Sequence, residues 1–95
     1  MSFADRQRID KWVWHARFVR TRVDAQSFIA SGHVRLNGVR VTAPAHAVRA
    51  GDVLTMALDS RVRVVRVVGF SERRGNAAQA QLLYADLAPA RRAYL

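Results

Sequence analysis

Apolar and polar residues alternate along this chain in two rhythms, and the change from one to the other divides it. From Arg8 to Arg17, Ile9, Trp12, Val13 and Ala16 fall at i, i+3, i+4 and i+7, the stripe of an amphipathic helix. A second helix is expected from Arg22 to about Ser31, with Ala25, Phe28 and Ile29 as its buried line. Thr21 can cap its first turn, Asp24 suits the positive end of its dipole, and Gly32 suits the left-handed residue that ends a helix. The period then drops to two. Val34, Leu36, Val39 and Val41 flank Asn37-Gly38, the pair that a two-residue hairpin loop prefers because both positions need positive φ.

That loop sets a register of Leu36 with Val39, Arg35 with Arg40 and Val34 with Val41. The four apolar residues then share the core face, and the two arginines stand opposite each other outside. Pro44 to Ala50 reads as a loop with Val48 tucked inward, and Gly51-Asp52 as a turn into a strand, Val53 to Leu58. Asp59-Ser60 turns into a run from Arg61 to Phe70 whose phase slips at Val64-Val65, the mark of a bulge. After a polar loop, Glu72 to Asn76, the spacing of Ala80, Leu83, Tyr84 and Leu87 predicts a third helix from about Ala77 to Leu87, closed by Pro89. The fold class is therefore α+β. A core of two helices, hairpin and strand would span residues 8–58, with 59–89 as an extension of the same domain and 90–95 as a flexible tail.

Charge changes the picture more than composition does. Sixteen basic residues against seven acidic ones leave a formal +9 over 95 residues, which points to a polyanionic partner. Residues 1–50 hold nine of the cations and only three of the acids, Asp5, Asp10 and Asp24. On the first helix, Arg8, Lys11 and His15 form a line about 110° from the apolar centre, at 100° per residue. Trp14 lies opposite the stripe and needs cover from either a base or the C-terminal segment. Like charges paired across a hairpin destabilise it; an anion between Arg35 and Arg40 would reverse the sign.

Several classes of chemistry find no support. There is no cysteine, and His15, His33 and His46 lack metal-ligand spacing. The carboxylates form no acid-base pair and no glycine-rich phosphate loop is present, so neither catalysis nor a cofactor is expected. No apolar run approaches the ~18 residues of a membrane span, which leaves a cytoplasmic protein, monomeric when free, as the expectation.

Arg8-Ile9-Asp10-Lys11, Thr21-Arg22 with Ala25 and Ile29, Gly32-His33-Val34-Arg35, Asn37-Gly38, Val41, Pro44, Val48 and Gly51-Asp52 together resemble the small RNA-binding domain named after the fourth protein of the small ribosomal subunit. Trp12 and Trp14, then Glu72-Arg73-Arg74-Gly75, Ala80-Gln81 and Leu83-Tyr84, are similar to its stand-alone heat shock protein 15 family. The resemblance implies an αL-motif fold, two N-terminal helices on a small antiparallel sheet. It also implies binding to rRNA on large ribosomal subunits that still carry a stalled peptidyl-tRNA, in their rescue or recycling. The longer version of that family carries an extended basic C-terminal helix; after Pro89 this sequence offers Arg91 and Arg92, so no second contact from such a helix is expected.

Carried over by position, the RNA surface would use Arg8, Lys11, Thr21, Arg22, Gln26, His33, Arg35 and Asn37. Arg40 joins it through its pairing with Arg35, and His15, Arg20, Arg73 and Arg74 are secondary candidates. Asp10 is expected to orient the basic side chains around it. Trp12, Phe28 and Tyr84 read as core. The competing readings are a small protein-interaction adaptor docking through Trp14 and the third helix, and a general duplex binder.

Overall fold

In the computed structural model, residues 5–59 and 61–87 are described. The order is β1 (Arg6–Arg8), α1 (Ile9–His15), α2 (Arg22–Ala30), β2 (Val34–Leu36), β3 (Val39–Val41), β4 (Ala47–Arg49), β5 (Val53–Leu58), β6 (Arg61–Val67), α3 (Ala77–Gln81) and β7 (Tyr84–Asp86). An antiparallel sheet of order β3-β2-β5-β6-β7 carries α1 and α2 on one face, and β1 with β4 forms a small second sheet. This is the α+β architecture expected. No helix among the described residues is long and apolar enough to cross a membrane.

The apolar stripes meet where the periodicity placed them. Ile9, Trp12 and Val13 of α1, with Ala25 and Ile29 of α2, pack on Val34, Leu54, Met56 and Val65 of the sheet, all of them inaccessible to solvent. The hairpin register is as read, Val34 with Val41, Arg35 with Arg40 and Leu36 with Val39, with Asn37 at φ 51° and Gly38 at φ 86°. Thr21 caps α2, its hydroxyl accepting from the Asp24 amide at 2.9 Å.

Five expectations are corrected. Val39 is 68% exposed, because β3 is an edge strand and this residue adjoins the turn, where the sheet extends past the apolar cluster. Phe28 is half-buried at the margin of the core. The 44–50 loop contains β4, which pairs with β1 through Arg6↔Arg49, Gln7↔Val48 and Arg8↔Ala47. Three-residue strands are too short for a period to show. Val48 is buried as predicted.

No bulge interrupts β6, whose pairing with β5 runs unbroken from Leu58↔Arg61 to Val53↔Arg66. The apparent slip arises because Arg63 takes an inward position beside Val65 and Val67. Its guanidinium lies 5.3 Å from the Phe18 ring centre and 5.9 Å from that of Tyr84, and donates to Asp86 at 3.0 Å. A cation over aromatic faces can occupy such a position where an unpaired one could not.

The third helix is shorter than predicted. It stops at Gln81, and Tyr84 to Asp86 become β7, paired with Val67, Arg66 and Val65 of β6. Without β7 the backbone groups along the edge of β6 would lack partners, and pairing them outweighs the six further residues of helix predicted. Where the polar loop meets α3, Asn76 and Gln79 form a reciprocal capping box, an N-x-x-Q signal present in the sequence. Pro89 and the tail with Arg91 and Arg92 lie outside the described residues.

Candidate nucleic-acid interface

The site is built outward from one buried acid. Asp10 stands in the first turn of α1 with no solvent exposure. Arg8 donates to both its oxygens, from Nε at 3.1 Å and Nη2 at 2.9 Å. The Lys11 amide donates at 2.7 Å and Gln26 Nε2 at 3.3 Å, and Arg22 Nη2 lies 3.6 Å away. The α1 backbone is itself anchored, the Ile9 amide donating to the His46 carbonyl at 2.7 Å and the Asp10 amide to that of Pro44 at 3.2 Å. Burial alone would push the Asp10 carboxyl up. The hydrogen bonds from Arg8, Gln26 and the Lys11 amide, with the Arg22 charge, outweigh that and hold it below the ordinary carboxylate range.

One carboxylate thus organises two guanidiniums and an amide, while Lys11 makes no ion pair among the described residues. These groups border a cleft of about 370 Å³ lined by Arg6, Arg8, Lys11 and Arg22 on one side and Phe70, Ser71 and Glu72 on the other. Four cations against one carboxylate on its rim make it a place for an anion. Arg22 Nε is buried without a hydrogen-bond partner among the described residues, so protein groups alone leave this guanidinium incompletely satisfied.

The opposite wall is a strap. Residues 69–75 run along α1, with the Gly69 carbonyl accepting from Trp12 Nε1 at 2.9 Å and that of Ser71 from His15 Nδ1 at 3.0 Å and from Gln7 Nε2 at 2.9 Å. Arg17, at φ 65°, donates to the Gly75 carbonyl at 2.6 Å. Arg74 donates back to the carbonyls of Trp14 and Val19 at 3.1 and 3.2 Å, its guanidinium 5.9 Å from the Trp14 ring centre. Protein therefore supplies the cover that Trp14 needed.

The predicted residues separate into groups. The side chains of Arg8, Arg22 and Gln26 converge on Asp10, as expected of that acid, while Lys11 reaches it only through its backbone amide. Arg35 and Arg40 are cross-strand neighbours without an ion pair among the described residues, and the pleat puts them on the sheet face away from the helices. The expected single surface is thus two cationic areas. Thr21 is committed to its cap. Asn37 donates to Asp52 at 3.1 Å and accepts from the Val53 amide at 2.9 Å, so its amide holds the hairpin tip to the start of β5. His33 is exposed and stacks on Phe28; Arg20 and Arg73 are exposed.

Two secondary candidates are corrected. His15 is 1% exposed: the strap covers the end of its helix, which a wheel of α1 alone cannot show. Arg74 is turned inward onto Trp14. The reading missed Arg6, which lies on β1, a strand of three residues and too short for its period to show.

A family model described as the S4 domain matches residues 7–54. Among curated proteins, the chain is 44% identical over 79 residues to the heat shock protein 15 homolog of Aeromonas salmonicida, covering 83% of this chain and 59% of that one. It is 40% identical over 81 residues to heat shock protein 15 of Escherichia coli strain K12, covering 85% and 60%. It is also 41% identical over 69 residues to small ribosomal subunit protein uS4 of Methylobacterium radiotolerans, covering 70% and 34%. The matched region thus spans about three fifths of the first two relatives. The trimeric structure of Vibrio cholerae heat shock protein 15 superposes with a TM-score of 0.85 at 31% identity, over 94% of this chain and 89% of that one. With the helix pair, the hairpin and their register in place, the chain belongs to the S4 domain family of RNA-binding modules and, within it, to the heat shock protein 15 group.

Proposed function

We propose that this protein is a non-catalytic cytoplasmic factor that binds structured rRNA on the large ribosomal subunit and acts on subunits holding a stalled peptidyl-tRNA. The observation that carries the reading is the cationic cleft of Arg6, Arg8, Lys11 and Arg22, preset by Asp10. Side chains already aimed by a buried carboxylate lose less freedom when a phosphate arrives. A rigid corner of helices with a cationic rim suits RNA that is read by shape and backbone. Family membership supports RNA as the ligand. The choice of subunit and the peptidyl-tRNA extend the resemblance given by the residue pattern.

The test is co-sedimentation with separated subunits and polysomes at low and high salt. Enrichment on large subunits, weakening as salt rises and lost in a Lys11→Glu, Arg22→Glu variant that still folds, is the expected result. Equal recovery on small subunits would overturn the choice of partner.

A further inference from the structure

Away from the Asp10 cleft, a second cleft of about 720 Å³ opens between the 18–20 segment, α2 and the end of β5, lined by Phe18, Arg20, Phe28, His33, Leu58 and Arg61 among others. We propose that it receives an unpaired nucleobase of the bound RNA, stacked on the exposed ring of His33. This rests on the RNA-binding reading above and adds to it a site for a base, distinct from the phosphate contacts.

The platform follows from how α2 ends. Gly32 adopts φ 85°, its amide donates to the Ile29 carbonyl at 3.0 Å, and the His33 amide donates to the Phe28 carbonyl at 3.4 Å. This pair of bonds is a Schellman motif, which brings the residue after the glycine back over the last turn. The two rings consequently lie almost parallel, 4° apart, with centres 5.6 Å apart. Phe28 is half-buried and fixed against the core, whereas His33 is exposed.

Any apolar residue at position 33 would complete the motif. A flat ring backed by a second ring does more, since bases stack on such surfaces and unpaired bases are what single aromatic platforms capture. The rim fits the same ligand. Arg20 and Arg61 are exposed and without ion pairs among the described residues, placed to meet flanking phosphates. The exposed carboxylates of Asp24 and Asp59 are also on the rim, so its charges balance, and either acid can accept from a base amino group. An apolar peptide would use the Phe18 and Leu58 floor but would leave both arginines without a role.

The experiment compares two RNA hairpins that differ only by one unpaired 2-aminopurine. Wild-type protein is expected to bind the bulged RNA roughly tenfold more tightly, within the range that stacking one base on an aromatic supplies, and to quench the probe. His33→Ala leaves the backbone bonds of the motif in place; it should lose the quenching and bind the two hairpins equally. His33→Phe should restore both. Equal wild-type affinity for the two RNAs overturns the proposal, as does a preference that survives His33→Ala, or a cleft that binds apolar peptide without competition from the bulged RNA. Failure of the RNA-binding reading looks different: neither hairpin would bind at all.

Discussion

Arg22 Nη2 lies 3.6 Å from Asp10 Oδ1 although the two residues belong to different helices, so the first residue of α2 is aimed by the first turn of α1. The acid has no exposure of its own and cannot meet RNA. Replacing it by asparagine keeps the shape and removes the charge that gathers Arg8, Arg22 and Gln26. Asp10→Asn is expected to cost about 2 kcal/mol of stability, the scale of buried hydrogen bonds to a charged group. It should also weaken RNA binding more than any single arginine-to-glutamine change nearby. Urea unfolding and a binding titration on the same samples check this, and unchanged affinity in a destabilised variant would show that the carboxylate only holds the fold.

The same carboxylate sets an acid limit. Its folded pKa is below the ordinary 3.8, so the unfolded chain takes up the proton first as pH falls. The stability Asp10 contributes is complete above the unfolded pKa and is lost as pH drops through the folded value. His15 acts in the same sense at higher pH. Burial lowers its pKa from the ordinary 6.5, the Ser71 carbonyl opposes, and Lys11, Arg22 and Arg74 lower it further. Stability should therefore be full above 6.5 and decline as pH falls toward the folded value. Thermal melts between about pH 8 and pH 5 should show this decline in the wild type and a flatter profile in His15→Gln.

Gly32 stands where the backbone penalises a side chain. At φ 85° any L-residue is strained, although an added Cβ would sit at ordinary contact distance, 3.4 Å from Arg40 Cδ. Gly32→Ala is expected to destabilise by about 1–2 kcal/mol, read as a lower urea midpoint with an unchanged slope. Because the bend also positions His33, the bulge preference should fall in the same variant.

Arg35 and Arg40 give opposite expectations for stability and binding. Arg35→Glu replaces a like-charge cross-strand pair by an opposite one and should raise stability by some tenths of a kcal/mol, read as a slightly higher thermal midpoint. If the hairpin meets a phosphate, the same change weakens RNA binding. A variant that gains stability and keeps full affinity would remove the hairpin from the interface, leaving the Asp10 cleft as the contact.

The sequence carried the helices, the hairpin and the orienting role of Asp10, because each rests on a local signal: a stripe, a cap, a glycine, an Asn-Gly pair. It misled where a long-range partner changed the meaning of a local pattern. Arg63 looks like an outward residue until Phe18, Tyr84 and Asp86 are seen around it. The Ala80, Leu83 and Tyr84 spacing is helical until the free edge of β6 claims Tyr84. His15 joins the basic line of its helix only while the strap is left out. The site was legible in its cations and not in its walls, since the second wall comes from residues some sixty positions downstream.

That wall has a bearing on what counts as a unit. The family model ends at residue 54, yet the carbonyls of Gly69 and Ser71 and the guanidinium of Arg74 fasten Trp12, His15 and Trp14 in place. A chain cut just beyond β5 would keep every residue matched to the S4 domain and lose the brace that holds α1 at its angle. The stretch matched to that domain is thus shorter than the stretch that must fold for its surface to exist.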